Sequence, residues 1–166
     1  MKKRTAKLMA AMIDYDRGDA QRIQHFVKVH DFAAAIGILE VLDEDTQEIL
    51  ESAAILHDIG IHLSEQKYGS SAGHYQEIEG PAEAEKVLRD VGGFSEEEIE
   101  RISFLVGHHH TYHDIQGRDY QILVEADFLV NLHEDSLSGE AVRAARERIF
   151  KTHMGLRFLD EMFAEK

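Results

Sequence analysis

Ala53-Ala54-Ile55-Leu56-His57-Asp58-Ile59-Gly60 carries an imidazole and a carboxylate out of the end of an apolar run. Neither group is stable among aliphatic side chains without a strong partner, because an unpaired polar or charged group loses its hydration there. A divalent cation accepts both neutral imidazole nitrogen and carboxylate oxygen, and so supplies that partner. The dipeptide alone is common. It gains meaning from His25 upstream, the pair His108-His109 downstream, and Asp127 within a second apolar stretch, Ile122-Leu123-Val124-Glu125-Ala126-Asp127-Phe128-Leu129.

The chain around this run reads as helices. There is one proline, and glycine falls mainly between segments with apolar residues at helical spacing. Helices are expected over Lys3–Tyr15 and from Asp19 or Ala20 to Leu42. A third is expected from a capping pair, Asp45 with Glu48, up to His57. Pro81 suits a first helical position and Gly92-Gly93 a stop. Ser95 with Glu98 forms a capping box for a helix reaching the histidines, and Asp119 suits the cap of the helix that carries Asp127. Two more are expected near Gly139–Thr152 and Leu156–Phe163. No stretch shows the alternation of a half-buried strand, and 59–79 reads as the only long irregular segment, where a lid or substrate-selecting surface is expected. The fold class expected is all-α: a single-domain helical bundle over residues 1–166, long enough to bury a core without staples.

Composition narrows the chemistry. There is no cysteine, so any metal site is built from nitrogen and oxygen. With 32 acidic against 18 basic residues the formal net charge is -14, a field that repels an extended nucleic acid. A small anion remains compatible, because a metal ion and a few Arg or Lys groups reverse the potential locally. The start Met1-Lys2-Lys3-Arg4 lacks the apolar region of a secretion signal, and no apolar run approaches bilayer length. The expectation is a soluble cytoplasmic protein with no membrane partner. Phe158, Leu159 and Phe163 suit either a core or the contact of a homo-oligomer.

Taken together, Arg22-x-x-His25-x-x-x-Val29, Leu56-His57-Asp58-Ile59-Gly60, His108-His109 and Ala126-Asp127 resemble the HD-domain superfamily of metal-dependent phosphohydrolases, over about Arg22 to Glu134. The resemblance implies that His25, His57, Asp58 and Asp127 hold one metal, with His57 and Asp58 essential to catalysis and Asp58 able to bridge to a second ion. His108-His109 matches the tandem histidines that bind the second ion in two-metal branches. One or two divalent ions are implied, of the Mn, Fe, Zn, Co, Ni or Mg type. A metal lowers the pKa of bound water and polarises a phosphoryl oxygen, so no side-chain nucleophile is needed. The implied substrate is a small phosphate ester or anhydride, such as a nucleotide or related metabolite, with Arg22, and less strongly Lys28 and Lys67, set against its charge.

The chain departs from that pattern in two places. Gly80-Pro81 stands where two-metal branches often have a ligand His-Pro, leaving Glu79 or His74 as candidates for a second metal or the pocket. Ile61 follows Gly60 where cyclic-dinucleotide diesterases often have lysine, which disfavours that substrate.

Plainer readings stand beside these. His25 on an apolar stripe, taken alone, reads as a packed core histidine, Asp127 as a helix cap, and Arg22 as the partner of Asp19. Adjacent helical residues point about 100° apart, so His108 and His109 both reach a common centre only if two ions are present or the helix ends there, and one ligand of the two is the safer reading. His110 and His113 read as surface or pocket-rim residues. Two other classes compete with the enzyme: a metal- or nucleotide-binding regulatory module with little turnover, and a helical adaptor whose histidines are incidental.

Overall fold

A computed structural model describes residues 1–164, and among these there are nine α-helices and no strand. In chain order they are α1 (Lys3–Tyr15), α2 (Ala20–Leu39), α3 (Glu44–Leu56), α4 (Ile61–Tyr68), α5 (Gly73–Val91), α6 (Glu96–Val106), α7 (Arg118–Glu134), α8 (Gly139–Arg148) and α9 (His153–Met162). The all-α expectation holds.

α7 forms the middle of the bundle. Its stretch from Ile122 to Asp127 is buried on every side, as a helix apolar around its whole circumference must be. It packs on α2 and α3, and α3 also meets α6 and α1. Phe26, Val29, Ala33 and Ile36 of α2, Leu50 and Ala53–Leu56 of α3, and Ile102, Leu105 and Val106 of α6 fill the space between them. Two acids, Glu125 and Asp127, are buried in the α7 stretch, and Glu125 accepts the backbone N–H groups of Lys151 (2.6 Å) and Thr152 (2.9 Å) and the Thr152 hydroxyl, tying the start of α9 to α7. Leu159 is buried and the Phe158 ring lies 6.3 Å from that of Phe32, so this end of α9 faces the core.

Several boundaries depart from the sequence reading. α2 stops at Leu39, where Val41 adopts a left-handed φ of 57°. α3 is capped by Asp43, which accepts Thr46 N–H at 2.9 Å; Asp45 and Glu48 do not form the expected box, because Glu48 is drawn to Arg4 (2.8 Å) and Lys2 (3.0 Å). The Ser95–Glu98 box is present. Gly117, not Asp119, caps α7, and Asp119 is taken by Arg101 at 2.7 and 2.8 Å. The last two helices split around the Glu125 tie, α8 ending at Arg148 and α9 starting at His153 under a Thr152 cap.

The largest correction concerns 59–79. The segment is not irregular: α4 occupies Ile61–Tyr68, Gly69 ends it with a φ of 65°, and α5 begins at Gly73. An eight-residue helix is too short for its periodicity to stand out. Pro81 lies inside α5 rather than at its start. It lacks an amide hydrogen and so leaves the helical acceptor at Glu77 without its usual donor. In return its ring packs where Gly107 has no side chain, since a Cβ there would lie 2.8 Å from Pro81 Cγ.

Two more glycines fix the position of His57-Asp58. A Cβ on Gly60 would lie 2.7 Å from the Gly80 backbone nitrogen, and one on Gly80 would lie 2.8 Å from Val106 Cγ1. The turn after His57-Asp58, the middle of α5 and the end of α6 therefore meet at backbone distance. We expect Gly60→Ala to force that backbone apart and to destabilise the protein by about 1–3 kcal/mol, as overpacking does. Divalent-metal affinity should fall with it, because Asp58 is two residues away. Thermal melting with and without metal measures both effects.

Candidate metal centre

Six side chains converge where α2, α3, the turn after α6 and α7 come together. His25 projects from α2, His57 and Asp58 leave the C-terminal end of α3, His109 and His110 follow α6, and Asp127 sits in the middle of α7. Ligand-type atoms of His25, His57 and Asp58 all lie within 4.8 Å of one another, as do those of Asp58, His109 and His110. His25 Nε2 is 3.1 Å from His57 Nε2 and 3.5 Å from Asp58 Oδ2. Asp127 Oδ1 stands 3.3 Å from His25 Nε2 and 3.5 Å from His57 Nε2. Ligands adjacent around one ion, at bonds of about 2.1 Å, are separated by roughly 3.0–3.4 Å. The donors are thus spaced as around a shared centre.

The histidines are held with Nε2 inward. His57 Nδ1 donates to the Ala54 carbonyl and His109 Nδ1 to the Val106 carbonyl, each at 2.8 Å, and His25 Nδ1 donates to Glu134 Oε2 at 2.8 Å. Engaging one ring nitrogen this way leaves the other a lone pair for a metal, the arrangement that fixes ligand orientation in metal sites. Asn131 also fixes Asp127, donating at 2.9 Å to Oδ1, the same oxygen that faces His25 and His57. Asp58 faces two ways, with Oδ2 toward His25 and His57 and Oδ1 3.1 Å from His109 Nε2.

The electrostatics fit a cation. Burial works against charge on both Asp58 and Asp127, yet the surrounding histidines outweigh it and hold both carboxyls below the usual carboxylate range. Burial likewise opposes the imidazolium of His25, but Asp127, Asp58 and Glu134 prevail and its pKa is raised to about 9. His109 is raised in the same way, Asp58 prevailing over burial. His110 goes the other way: burial, then repulsion from His109, lowers it to about 4. The carboxylates thus draw positive charge into the centre, and the nitrogen and oxygen donors suit a divalent ion.

The other residues singled out in the sequence divide between the centre and its surroundings. His108 points away, its Nδ1 bound to the Phe104 carbonyl at 2.7 Å and its ring stacked on Phe104 at 4.0 Å. Of the tandem pair only His109 reaches Asp58, both residues lying in the turn after α6 ends at Val106. His110, assigned to the rim from sequence, instead places Nε2 3.9 Å from Asp58 Oδ1 and 3.3 Å from Gln76 Oε1. His74 stacks against Tyr75 at 3.9 Å. Glu79 accepts Lys67 at 2.7 Å and Tyr68 at 2.6 Å, which occupies both its oxygens. Lys28 is bound to Glu134 at 2.9 Å. Arg22 lines the clefts beside Asp58 and is steadied by His62, Glu65 and Asp19 at 3.2–3.4 Å. Glu134, Asn131, Gln76 and His110 carry no local signature, since each is recruited by a distant part of the chain.

These charges predict a pH dependence. His25 has a folded pKa of about 9 against an ordinary value of 6.5, so its contribution to stability is complete below pH 6.5 and disappears as the pH rises through about 9. His109 shifts in the same direction. We expect the melting temperature of metal-stripped protein to fall across that interval. Metal-loaded protein should lose this dependence, because an ion that replaces the protons binds more tightly as the pH rises. Melting curves at several pH values, with and without added metal, test both.

The family model of the HD domain matches residues 22–151. No curated protein and no solved structure matches the chain. Among the described residues no helix is long and apolar enough to cross a membrane. The family match spans most of the chain and encloses all six converging side chains, and the protein therefore belongs to the HD-domain family, whose superfamily is that of metal-dependent phosphohydrolases.

Proposed function

We propose that this protein hydrolyses a small phosphate ester or anhydride, a nucleotide or related metabolite, at a divalent-metal centre held by His25, His57, Asp58 and Asp127. The observation that carries the reading is the convergence of His25 Nε2 and His57 Nε2, 3.1 Å apart, with Asp58 Oδ2 and Asp127 Oδ1 each 3.3–3.6 Å from both imidazoles. His109, with His110 beside it, extends the donor set around Asp58 Oδ1 toward a second ion. Bound there, a divalent ion acidifies water and polarises a phosphoryl oxygen.

The chain's own residues do the rest. Glu134, Ala54 and Val106 orient the three imidazoles, and Asn131 orients Asp127. Arg22 lines both clefts beside Asp58, the one arginine or lysine to do so among the described residues, and is suited to a phosphoryl oxygen. Lys28 and Lys67, engaged by Glu134 and Glu79, contribute less to substrate binding on this reading.

The engagement of Glu79 favours a second reading. Both of its oxygens are taken by Lys67 and Tyr68, so Glu79 adds nothing to the donor set of Asp58, His109 and His110. A regulatory module that binds metal and nucleotide without turnover has such a site. Activity separates the readings. Protein loaded in turn with Mn, Fe, Zn, Co, Ni and Mg is expected to release phosphate from at least one member of a panel of monoesters, diesters and nucleotides. Tight nucleotide binding with no hydrolysis under any ion would favour the module, and protein that takes up no metal would sink both.

Two substitutions sharpen the test. Glu134→Ala removes the acceptor that orients His25 and should weaken metal affinity or activity by roughly 10–100-fold. His57→Ala removes a ligand and should cost more, with the metal content per chain falling as turnover does. Elemental analysis beside the kinetics reads both.

A further inference from the structure

Two clefts meet at Asp58. The smaller, about 260 Å³, lies between Arg22, His25 and Glu134; the larger, about 540 Å³, runs on past Ile61, Gln76, Tyr112 and Phe128. Arg22, Asp58, Gln21 and Asn131 line both. The larger is of a size that encloses a metabolite.

The lining is of two kinds. Among the described residues lining the clefts, Arg22 is the one arginine or lysine, against the carboxylates Asp19, Asp58, Glu134 and Asp135. Arg22 is itself shared with Asp19 and Glu65. One phosphoryl group set between Asp58 and Arg22 meets positive charge on both sides once the centre holds its ion. A second or third phosphoryl group in line with it meets carboxylates and no further cation. A polyphosphate is therefore mismatched, by a like-charge penalty that discriminates against the wrong ligand.

The aromatic part of the larger cleft lies beside the centre, with the Tyr112 hydroxyl 3.4 Å from His110 Nδ1 and Phe128 next in the chain to Asp127. Tyr112 and Phe128 pair edge to face with centroids 5.1 Å apart, and Tyr112 is 42 % exposed although its neighbours Ile61, Leu132 and Leu137 make the wall around it apolar. A solvent-facing ring on an apolar wall is a stacking surface for a flat ligand group. The amide side chains of Gln21 and Asn131 line both clefts, and that of Asn131 is bound to Asp127.

We propose that the site is built for a phosphate monoester whose leaving group carries a flat ring, the phosphoryl group lying between Asp58 and Arg22 and the ring against Tyr112 and Phe128. This rests on reading the centre as one that binds a phosphoryl group. Hydrolysis breaks the bond between phosphorus and the leaving oxygen and forms one from phosphorus to a water oxygen. A water proton passes to the leaving oxygen, so the products are inorganic phosphate and the ring-bearing alcohol.

The test compares probes that differ in one feature. Manganese-loaded protein is assayed with the mono-, di- and triphosphates of adenosine and thymidine and with ribose 5-phosphate, which keeps the phosphoryl group and lacks the ring. The monophosphates are expected to exceed the di- and triphosphates and ribose 5-phosphate in kcat/KM by roughly tenfold or more, the scale of one lost stacking contact. Tyr112→Ala should cut the ratio of kcat/KM for nucleoside monophosphate to that for ribose 5-phosphate by a similar factor, through KM. Tyr112→Phe should keep the ratio, since it keeps the ring. Preference for a di- or triphosphate, or a ratio unmoved by Tyr112→Ala, overturns the inference while leaving the phosphohydrolase intact. If nothing is hydrolysed, p-nitrophenyl phosphate included, under any of the six ions, the phosphohydrolase reading fails. Calorimetric titration of the metal-loaded protein with the same compounds then decides the inference: tightest binding of the monophosphates, weakened by Tyr112→Ala, upholds it, and any other order overturns it.

Discussion

The structure depends on the burial of opposite charges at one point. Asp127 is 2 % exposed, His57 and His109 are fully buried, and Asp58 and His25 are nearly so. Carboxylates cannot occupy an interior unless something positive meets them, and imidazoles cannot share so small a space without ordered partners for both ring nitrogens. Both demands are met. Each inward-facing imidazole has its outer nitrogen bound to a backbone carbonyl or a carboxylate, and the inner nitrogens and oxygens point at common space. The same arrangement that resolves the burial problem creates a place for a cation.

Delivering those groups sets the packing around them. His57-Asp58 must leave α3 directly beneath the start of α4, and the histidines after α6 must reach Asp58 from the opposite side. Side chains at the crossing would hold these segments apart, and Gly60 and Gly80 remove them. Pro81, awkward within a helix, fits because Gly107 leaves room for its ring. α7, buried on all sides, supplies the fixed floor from which Asp127 projects, and the Glu125 tie to Lys151 and Thr152 anchors the C-terminal helices to that floor.

Electrostatics then separate the centre from its surroundings. A strongly acidic chain surrounds the site with carboxylates, and the two lysines nearest in the sequence to the motifs are neutralised by Glu134 and Glu79. Among the described residues Arg22 is the one arginine or lysine that lines the clefts. A bound divalent ion reverses the local sign in a way that no global charge count reveals. On the proposed function an anion is held by a small number of charges close to the metal centre rather than by the protein's overall field.

Local rules made part of this legible in the chain alone. Helical periodicity, a single proline and the absence of alternation were sufficient for the all-α class. A histidine and aspartates stranded among aliphatic residues marked His57, Asp58 and Asp127, because burial of such groups is improbable without a common partner. The 100° step between helical neighbours favoured one inward residue of His108-His109, but α6 ends at Val106 and the turn beyond it brings His109 and His110, not His108, to Asp58. Other features were settled by packing between helices. Whether Asp43 or Asp45 caps a helix depends on Arg4 and Lys2 drawing Glu48 away. α4 and the course of α5 through Pro81 depend on contacts with Gly60 and Gly107 far along the chain. His110, Gln76, Asn131 and Glu134 join the site through partners recruited from other helices, and Tyr112 and Phe128 meet on its wall from different segments. Pairings between remote residues leave no local trace, since they arise only when the packed core has fixed the separations between helices.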